Sequence, residues 1–457
     1  MVSIASFSGD LVTPTDSNYS QAISRWAKNA ERKAAVVAFV KNEQDVALAL
    51  KYAKANGLPV AVRGGGHSAA GASSIEGGLV VDLSRHLSGT RVDPESRLAY
   101  IGGGATWESV DKAAIEHDLA TVGGTVNHTG VGGLILGGGY GFLTGAHGMV
   151  IDNLVEATIV TANGSVLKAS ETENPDLFFG IRGGGGNFGV VTEFVLKLYP
   201  QRRTVYAGML IYKASDLKRI IDVTTTWYPN AGEKETVFHF TTVGPDGNPI
   251  VALLVFYNGS EAEGRENFKA FLEIGPLADT AKEIPYEALN TLQNKLVLPG
   301  ASIYMTGIAQ ATPDYDSILA AHAKVIDICK NPGFGGAVLY EYFPLSKVVA
   351  VPNGTMAFRR FPTSNILVLV NWDNHEEGKS EIARAGAHAL IDILRGGLTH
   401  LPREQTRGYT NYDFDGAEKP DRARDAFGDV YPKLQEIKKK YDPENVFNKW
   451  FPITPAA

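Results

Sequence analysis

The sequence predicts an α+β protein built from two regions of different texture. Residues 1–203 alternate short helical and strand patterns and hold four glycine-rich runs. Residues 204–404 lack such runs, and longer strands alternate there with amphipathic helices. A chain of 457 residues is also too long for one ordinary core, so we expect more than one domain. The glycine-rich runs are 63–68, 101–106, 130–141 and 181–189.

The elements of the first region follow from hydrophobic periodicity and from turn residues. Residues 42–57, NEQDVALALKYAKANG, have apolar residues at helical spacing and end in glycine, which predicts a helix. Residues 155–170, VEATIVTANGSVLKAS, predict a hairpin that turns at Asn163-Gly164. A further helix is expected at 106–119, and further strands are expected at 58–66, 76–84, 97–105 and 188–200.

The second region reads as one antiparallel sheet backed by helices. Residues 236–259 form two apolar runs around a Pro-Asp-Gly turn and predict a hairpin. Further strands are expected at 338–345, 356–361 and 365–373, and helices at 260–274, 314–330 and 378–394. Residues 405–457 predict one or two helices, followed by a turn at YDPENVF (441–447).

Composition excludes several classes of protein. A net charge of −7 without a basic run argues against nucleic-acid binding. No run approaches the roughly 18 apolar residues of a membrane span. The single cysteine, Cys329, excludes an intrachain disulfide and a cysteine-rich zinc site, and no metal site is expected. Without a visible signal sequence we expect an intracellular protein, or a secreted one if Met1 follows a removed leader.

Glycine runs that follow strands let backbone N–H groups approach a phosphate closely. The chain contains no Gly-Lys-Ser/Thr of a Walker A loop. Gly130 and Gly132 also lack the third glycine of a Rossmann fingerprint, which argues against a nicotinamide-dependent dehydrogenase. Four runs in one region instead favour a dinucleotide held by several loops.

Three motifs, in order along the chain, resemble one family. VRGGGHSAAGASSIEGGLVVDLS (62–84) is similar to the histidyl-flavin stretch of the vanillyl-alcohol-oxidase/p-cresol-methylhydroxylase flavoproteins. GVGGLILGGGYGFLTGAHGMVIDNLVEATIVTANG (130–164) resembles the berberine-bridge-enzyme-like branch of that superfamily. YTNY (409–412), followed by YDPENVF, resembles the C-terminal segment of that branch.

The resemblance implies a two-lobed FAD-binding domain over 1–203. It also implies an α+β substrate-binding domain over 204–404 and a segment over 405–457 that completes the FAD domain. His67 matches the histidine that is bonded to the flavin. The other positions that the resemblance assigns to FAD are Arg63, Gly64, Gly65, Gly66, Ser68, Gly103, Gly104, Thr106, Val126, Gly130, Gly132, Gly133, Gly137, Gly138, Tyr140, Gly189, Val190, Tyr409 and Asn411.

Many members of this branch also attach the flavin through a cysteine. The alignment puts Val126 at that position, and the single cysteine, Cys329, lies in a distant predicted helix. We therefore expect one covalent bond, through His67, and no cysteinyl link.

The resemblance implies that a small hydroxylated molecule, a secondary metabolite or a carbohydrate, passes hydride to flavin N5 while a side chain accepts a proton. Tyr140, Tyr409, Tyr412 and His128 are the candidates for that base. O2 is the expected electron acceptor, with H2O2 as product. A flavin dehydrogenase that does not use O2, or a non-redox binding protein on the same fold, is the alternative. The oligomeric state is left open.

In the middle region several residues have both a functional and a structural reading. Arg359 and Arg360 could bind an anionic substrate, but a surface pair is the commoner case. Tyr340, Tyr342 and Trp372 could line a pocket or fill the core. The run His375-Glu376-Glu377 resembles a metal cluster only superficially and reads better as a solvated loop.

Overall fold

A computed structural model describes residues 3–373, 378–415 and 420–457. Its first sheet has four strands in the order β1-β2-β4-β3. Strands β2, β4 and β3 are parallel, and β1 lies antiparallel to β2 at the edge. The strands are β1 (Asp10–Val12), β2 (Val36–Phe39), β3 (Val60–Arg63) and β4 (Leu79–Asp82).

A second sheet is antiparallel, with five strands in the order β5-β6-β10-β8-β9. Two short strands, β7 and β11, pair with each other beside it. The strands are β5 (Thr90–Asp93), β6 (Leu98–Gly102), β7 (Leu119–Ala120), β8 (Leu154–Val160), β9 (Val166–Ser170), β10 (Val190–Lys197) and β11 (Tyr199–Pro200).

The third sheet is the largest, and all its described pairs are antiparallel. Its order is β15-β12-β14-β13-β18-β19-β17, and β16 also pairs with β12. The strands are β12 (Thr204–Lys213), β13 (Glu235–Val243), β14 (Pro249–Tyr257), β15 (Ala278–Asp279), β16 (Lys282–Pro285), β17 (Ser302–Gln310), β18 (Phe334–Tyr342) and β19 (Ser364–Trp372).

Helices cover one face of the large sheet and leave the other face toward the glycine-rich region. The helices after β12, β17 and β19 pack on the covered face with one hydrophobic cluster. The helices are α1 (Tyr19–Ile23), α2 (Glu43–Ala55), α3 (Trp107–Ile115), α4 (Val131–Leu136), α5 (Thr144–His147), α6 (Pro175–Ile181), α7 (Leu217–Trp227), α8 (Glu261–Asn267), α9 (Lys269–Leu272), α10 (Tyr315–Cys329), α11 (Ser346–Val349), α12 (Lys379–Gly396), α13 (Pro420–Phe427) and α14 (Tyr431–Tyr441).

The predicted α+β class is confirmed by the antiparallel sheets and the helices that pack on them. The predicted hairpin with its turn at Asn163-Gly164 is confirmed by the pairing of β8 with β9. The helix expected over 260–274 is divided in two at Phe268. The strand expected over 356–361 is wrong. The backbone N–H groups of Ala357 and Phe358 donate to the carbonyls of Phe179 and Arg182, so this segment docks on α6 and pairs with no strand.

Within the described ranges, no helix combines the length and the apolar character that crossing a membrane requires.

Candidate functional site

A cavity of about 830 Å³ lies between the glycine-rich loops and the uncovered face of the large sheet. Loops from the first and second sheets form one wall, and strands β12, β13, β14, β17, β18 and β19 form the other. The segment around Tyr409 and the chain end at 447–450 contribute to its rim. This volume lies in the upper part of the range of about 300–1,000 Å³ that is typical of small-molecule and cofactor sites.

The glycine loops form this wall by packing backbone against backbone. A Cβ atom on Gly65 would lie 2.5 Å from the Cα of Gly130, and one on Gly64 would lie 2.8 Å from the carbonyl oxygen of Gly103. No side chain fits at such distances. Gly66 has φ +71°, which sets the turn that leads into His67. Three separate runs of the sequence therefore form one backbone cradle.

His67 lies in a stack of three rings at this wall. Its ring lies parallel to Trp26, with centroids 4.1 Å apart, and 5.1 Å from the ring of His128. Its Nε2 is fully buried and has no hydrogen-bond partner. Burial, aided by His128, lowers the pKa of His67 to about 3. The imidazole is therefore neutral at physiological pH, which is the form that can act as a nucleophile.

Tyr412 and Glu341 form a hydrogen-bonded pair in the cavity wall. The Tyr412 hydroxyl donates to Glu341 Oε1 at 2.7 Å, and Asn365 Nδ2 donates to Glu341 Oε2 at 3.1 Å. Glu341 is 1 % exposed, and burial raises its pKa to about 7 against these two hydrogen bonds. Burial and the neighbouring carboxylate raise the pKa of Tyr412 well above 10. The pair can therefore accept one proton near neutral pH, with the carboxylate as its final site.

Tyr409 and Tyr140 lie beside this pair, and their rings meet edge to face at 5.2 Å. The Tyr409 hydroxyl accepts hydrogen bonds from the Gly139 N–H at 2.8 Å and from Asn411 Nδ2 at 2.7 Å. Burial raises the pKa of both tyrosines, and no carboxylate accepts from either hydroxyl in the described hydrogen bonds. Neither tyrosine is therefore linked to a buried carboxylate in the way that Tyr412 is.

The structure brings most of the predicted site residues to the cavity. Those that line it are Gly64, Gly65, Gly66, His67, Ser68, Gly103, Val126, Gly130, Gly132, Gly133, Tyr140, Gly189, Tyr409, Asn411 and Tyr412.

The other predicted residues lie behind this wall. Arg63 pairs with Asp82 at 3.1 Å, and His128 supports the ring of His67. A Cβ on Gly138 would meet the ring of Phe358 at 2.8 Å. Gly104 and Gly137 pack closely on neighbouring atoms, Thr106 is the N-cap residue of α3, and Val190 is buried in β10.

Glu341, Asn365 and Trp26 are site residues that sequence reasoning missed. In β18 the side chains alternate between the two faces, so Tyr340 and Tyr342 fill the helix-covered core and Glu341 faces the cavity. Trp372 also lies in that core. The sequence signal for Glu341 is a single carboxylate between two tyrosines, Tyr340 and Tyr342, in a predicted strand.

The reading of Arg359 and Arg360 as a surface pair is wrong. Arg360 is 5 % exposed and makes a two-pronged ion pair with Asp152, and Arg359 pairs with Glu404 at 2.7 Å. Both guanidinium groups thus form ion pairs and neither side chain lines the cavity, while Arg360 Nε is buried without a hydrogen-bond partner. His375, Glu376 and Glu377 lie outside the described residues, and no metal-binding cluster is found among the residues that are described.

These observations fit FAD. The backbone cradle offers N–H groups without side-chain obstruction, as a pyrophosphate requires. His67 presents a neutral imidazole with one nitrogen lacking a protein partner. Cys329 also lines the cavity, but from the end of α10 on the sheet side, and Val126 occupies the loop position.

Two family models match the chain. Residues 34–170 match the FAD binding domain, and residues 408–453 match the domain described as "Berberine and berberine like". The first match covers the glycine loops around His67, and the second covers Tyr409, Tyr412 and the chain end.

Three known proteins show the range of the likeness. The FAD-linked oxidoreductase pgmH of Aspergillus terreus is 34% identical over 97% of this chain and 92% of its own. The structure of 6-hydroxy-D-nicotine oxidase from Arthrobacter nicotinovorans is 28% identical, covers 99% of both chains and has a TM-score of 0.88. Glucooligosaccharide oxidase from Acremonium strictum, whose FAD is 6-S-cysteinyl and 8α-N1-histidyl, shares the fold at 21% identity and a TM-score of 0.80 over 98% of both chains.

Proposed function

The chain belongs to the FAD-linked oxidoreductases of the berberine-bridge-enzyme-like branch, and from that membership we propose an oxidase with its FAD attached through His67. Its substrate is a small molecule with an oxidisable C–H beside a hydroxyl or an amine. O2 is the electron acceptor and H2O2 the product.

Bound FAD supplies the hydride acceptor. The backbone N–H groups of Gly64, Gly65 and Gly66 would hold the pyrophosphate. The stack of Trp26 and His128 fixes the ring plane of His67. Two observations support a single attachment, through His67. Val126 occupies the loop position where many members of the branch have the attaching cysteine, and Cys329 lies on the opposite wall of the cavity.

Tyr412 and Glu341 handle the proton. The substrate hydroxyl gives its proton to the Tyr412 oxygen while Tyr412 passes its own proton to Glu341 Oε1, 2.7 Å away. Tyr412 thus remains neutral throughout, and Glu341 ends protonated. The electron pair of the broken C–H bond leaves as hydride, so the substrate carbon becomes a carbonyl. This relay avoids a tyrosinate, which the raised pKa of Tyr412 makes costly.

One observation carries the proposal: the hydrogen-bonded Tyr412–Glu341 pair lies in the same cavity as the His67 cradle. A flavin dehydrogenase would share this site, and only the reaction with O2 separates the two activities.

The test needs no known substrate. The flavin of the purified enzyme is photoreduced without air and then mixed with air-saturated buffer in a stopped-flow spectrometer. We expect reoxidation within seconds, with one H2O2 formed per flavin. Reoxidation over many minutes, with fast electron transfer to dichlorophenolindophenol, would instead identify a dehydrogenase.

A further inference from the structure

The sheet wall of the cavity is apolar over most of its area. Along β13, β18 and β19, alternate side chains face the cavity and keep a little exposure: Phe240 7 %, Leu339 9 % and Leu367 8 %. Their strand neighbours Val338 and Val368, which face the helices, are 0 % exposed. The cavity-facing side chains thus form a second apolar surface, on the face of the sheet opposite to the one that packs against the helices.

The few polar side chains on this wall are already engaged or stand at its ends. The Thr242 hydroxyl donates to the Gly336 carbonyl at 2.8 Å. Both oxygens of Glu341 accept hydrogen bonds from Tyr412 and Asn365. Asn371 faces the cavity at the far end of β19.

The register of β18 and β19 fixes the order of these groups. Glu341 lies opposite Asn365, followed by the pair Leu339–Leu367, then Ala337–Leu369, and finally Gly335–Asn371. With about 3.4 Å per residue, the two apolar pairs extend the wall by on the order of 13 Å beyond the reacting end.

Such a wall discriminates between substrate classes. An oligosaccharide has several hydroxyl groups on each ring, and each hydroxyl left unpaired against leucine side chains costs about 1–3 kcal/mol. An apolar body of the same size gains about 25 cal/mol for each Å² that it removes from water. An anionic group is also disfavoured, because the described part of this wall has no cationic side chain and its one carboxyl is that of Glu341.

We propose that the substrate is an extended, largely apolar molecule, neutral or cationic, with its one hydroxyl or amine at the end that meets Tyr412. Oligosaccharides are excluded by the same wall. This inference rests on the proposed function and adds the substrate class to it.

The test uses the purified flavin-loaded enzyme and two neutral probes, 2-naphthylmethanol and cellobiose. Each probe is titrated in the absence of air, and changes in the flavin absorbance report binding next to the flavin. We expect saturable binding of 2-naphthylmethanol and no response to cellobiose at the same concentrations. Leu367→Asn, of nearly equal size, is expected to raise the dissociation constant of 2-naphthylmethanol about tenfold.

Two further variants keep the test decisive. Leu369 lies on the same wall and is more exposed than Leu367. Leu369→Asn therefore replaces Leu367→Asn if the latter does not fold. Leu319→Asn makes the same change on the outer surface of α10, where Leu319 is 44 % exposed, and is expected to leave the dissociation constant unchanged.

The possible failures are distinguishable. If the protein carries flavin, three results contradict the apolar substrate class alone. These are a response to cellobiose, no response to either probe, and an affinity for 2-naphthylmethanol that is unchanged in both wall variants. Protein that purifies without flavin contradicts the proposed function, and the substrate class with it.

Discussion

Glu341 shows how the chemistry of this site depends on one residue and its immediate partners. Its carboxyl is buried, yet it receives only two hydrogen bonds and no cationic partner in the described structure, which leaves its pKa near 7. A carboxylate in that range can take a proton at neutral pH and release it again after turnover. The hydroxyl of Tyr412 connects it to the substrate.

This arrangement predicts the pH dependence of flavin reduction. Glu341 accepts a proton only when it is ionised, so the rate with an alcohol found in a peroxide-release screen should rise with pH through about 7 and then level off. Glu341→Gln should lower the rate on the order of a hundredfold and abolish the rise.

Tyr409→Phe is the matched control. It also removes a tyrosine hydroxyl from the segment 409–412, but the Tyr409 hydroxyl bonds to Gly139 and Asn411 and not to Glu341. We expect that variant to keep the rise. Stopped-flow measurement of the flavin absorbance from pH 5.5 to 9 follows all three proteins. A rise through pH 7 that persists in Glu341→Gln would exclude Glu341 as the proton acceptor.

At the scale of elements, the contact between the first and third glycine runs holds the cradle together. An added methyl group on Gly65 would lie 2.5 Å from the Cα of Gly130, so Gly65→Ala must push the two loops apart. We expect this variant to fold but to purify with little flavin, measured as the ratio of absorbance at 450 and 280 nm.

Gly89→Ala is the control for that substitution. A Cβ on Gly89 meets no atom within 4 Å, and the residue precedes β5 away from the cavity. Its flavin content should equal that of the wild type. Full flavin content in Gly65→Ala would show that the close contact of the two loops is unnecessary for binding.

Elements that depend on local signals can be predicted from the sequence, whereas elements that depend on distant contacts cannot. The Asn163-Gly164 turn and the glycine stop after α2 are local signals, and both elements were predicted correctly. The segment 356–361 has the composition of a strand, but its partner is α6, more than 170 residues earlier in the chain. Local patterns contain no record of such a contact. Likewise, the face on which Glu341 lies depends on the phase of β18 relative to the sheet.

At the scale of the whole molecule, α14 near the end of the chain forms a hydrogen bond to the last glycine-rich run, residues 181–189. Lys438 and Asp442 form a fully buried ion pair at 2.7 Å. The Lys438 ammonium also donates to the carbonyl of Asn187 at 2.7 Å and to that of Phe447 at 2.6 Å. Lys438 of α14 therefore joins the loop at Asn187 to the segment 447–450 that lines the cavity, although the two are about 250 residues apart in the chain.

Removal of the Lys438 ammonium should release the segment that follows α14 from the loop at Asn187. Lys438→Met leaves the Asp442 carboxylate buried without its partner, which typically costs about 3–5 kcal/mol. We expect a clear drop in melting temperature and a loss of flavin. Lys439→Met changes the exposed neighbour on the same helix and should alter neither. Equal melting temperatures for the two variants would contradict a structural role for this pair.

The most direct test of the account is whether His67 holds the flavin. Wild type, His67→Ala and Cys329→Ser are precipitated with acid, and their denaturing gels are viewed for flavin fluorescence. We expect fluorescent bands for wild type and Cys329→Ser and a dark band for His67→Ala. A fluorescent His67→Ala band, or a dark wild-type band, would contradict attachment through His67.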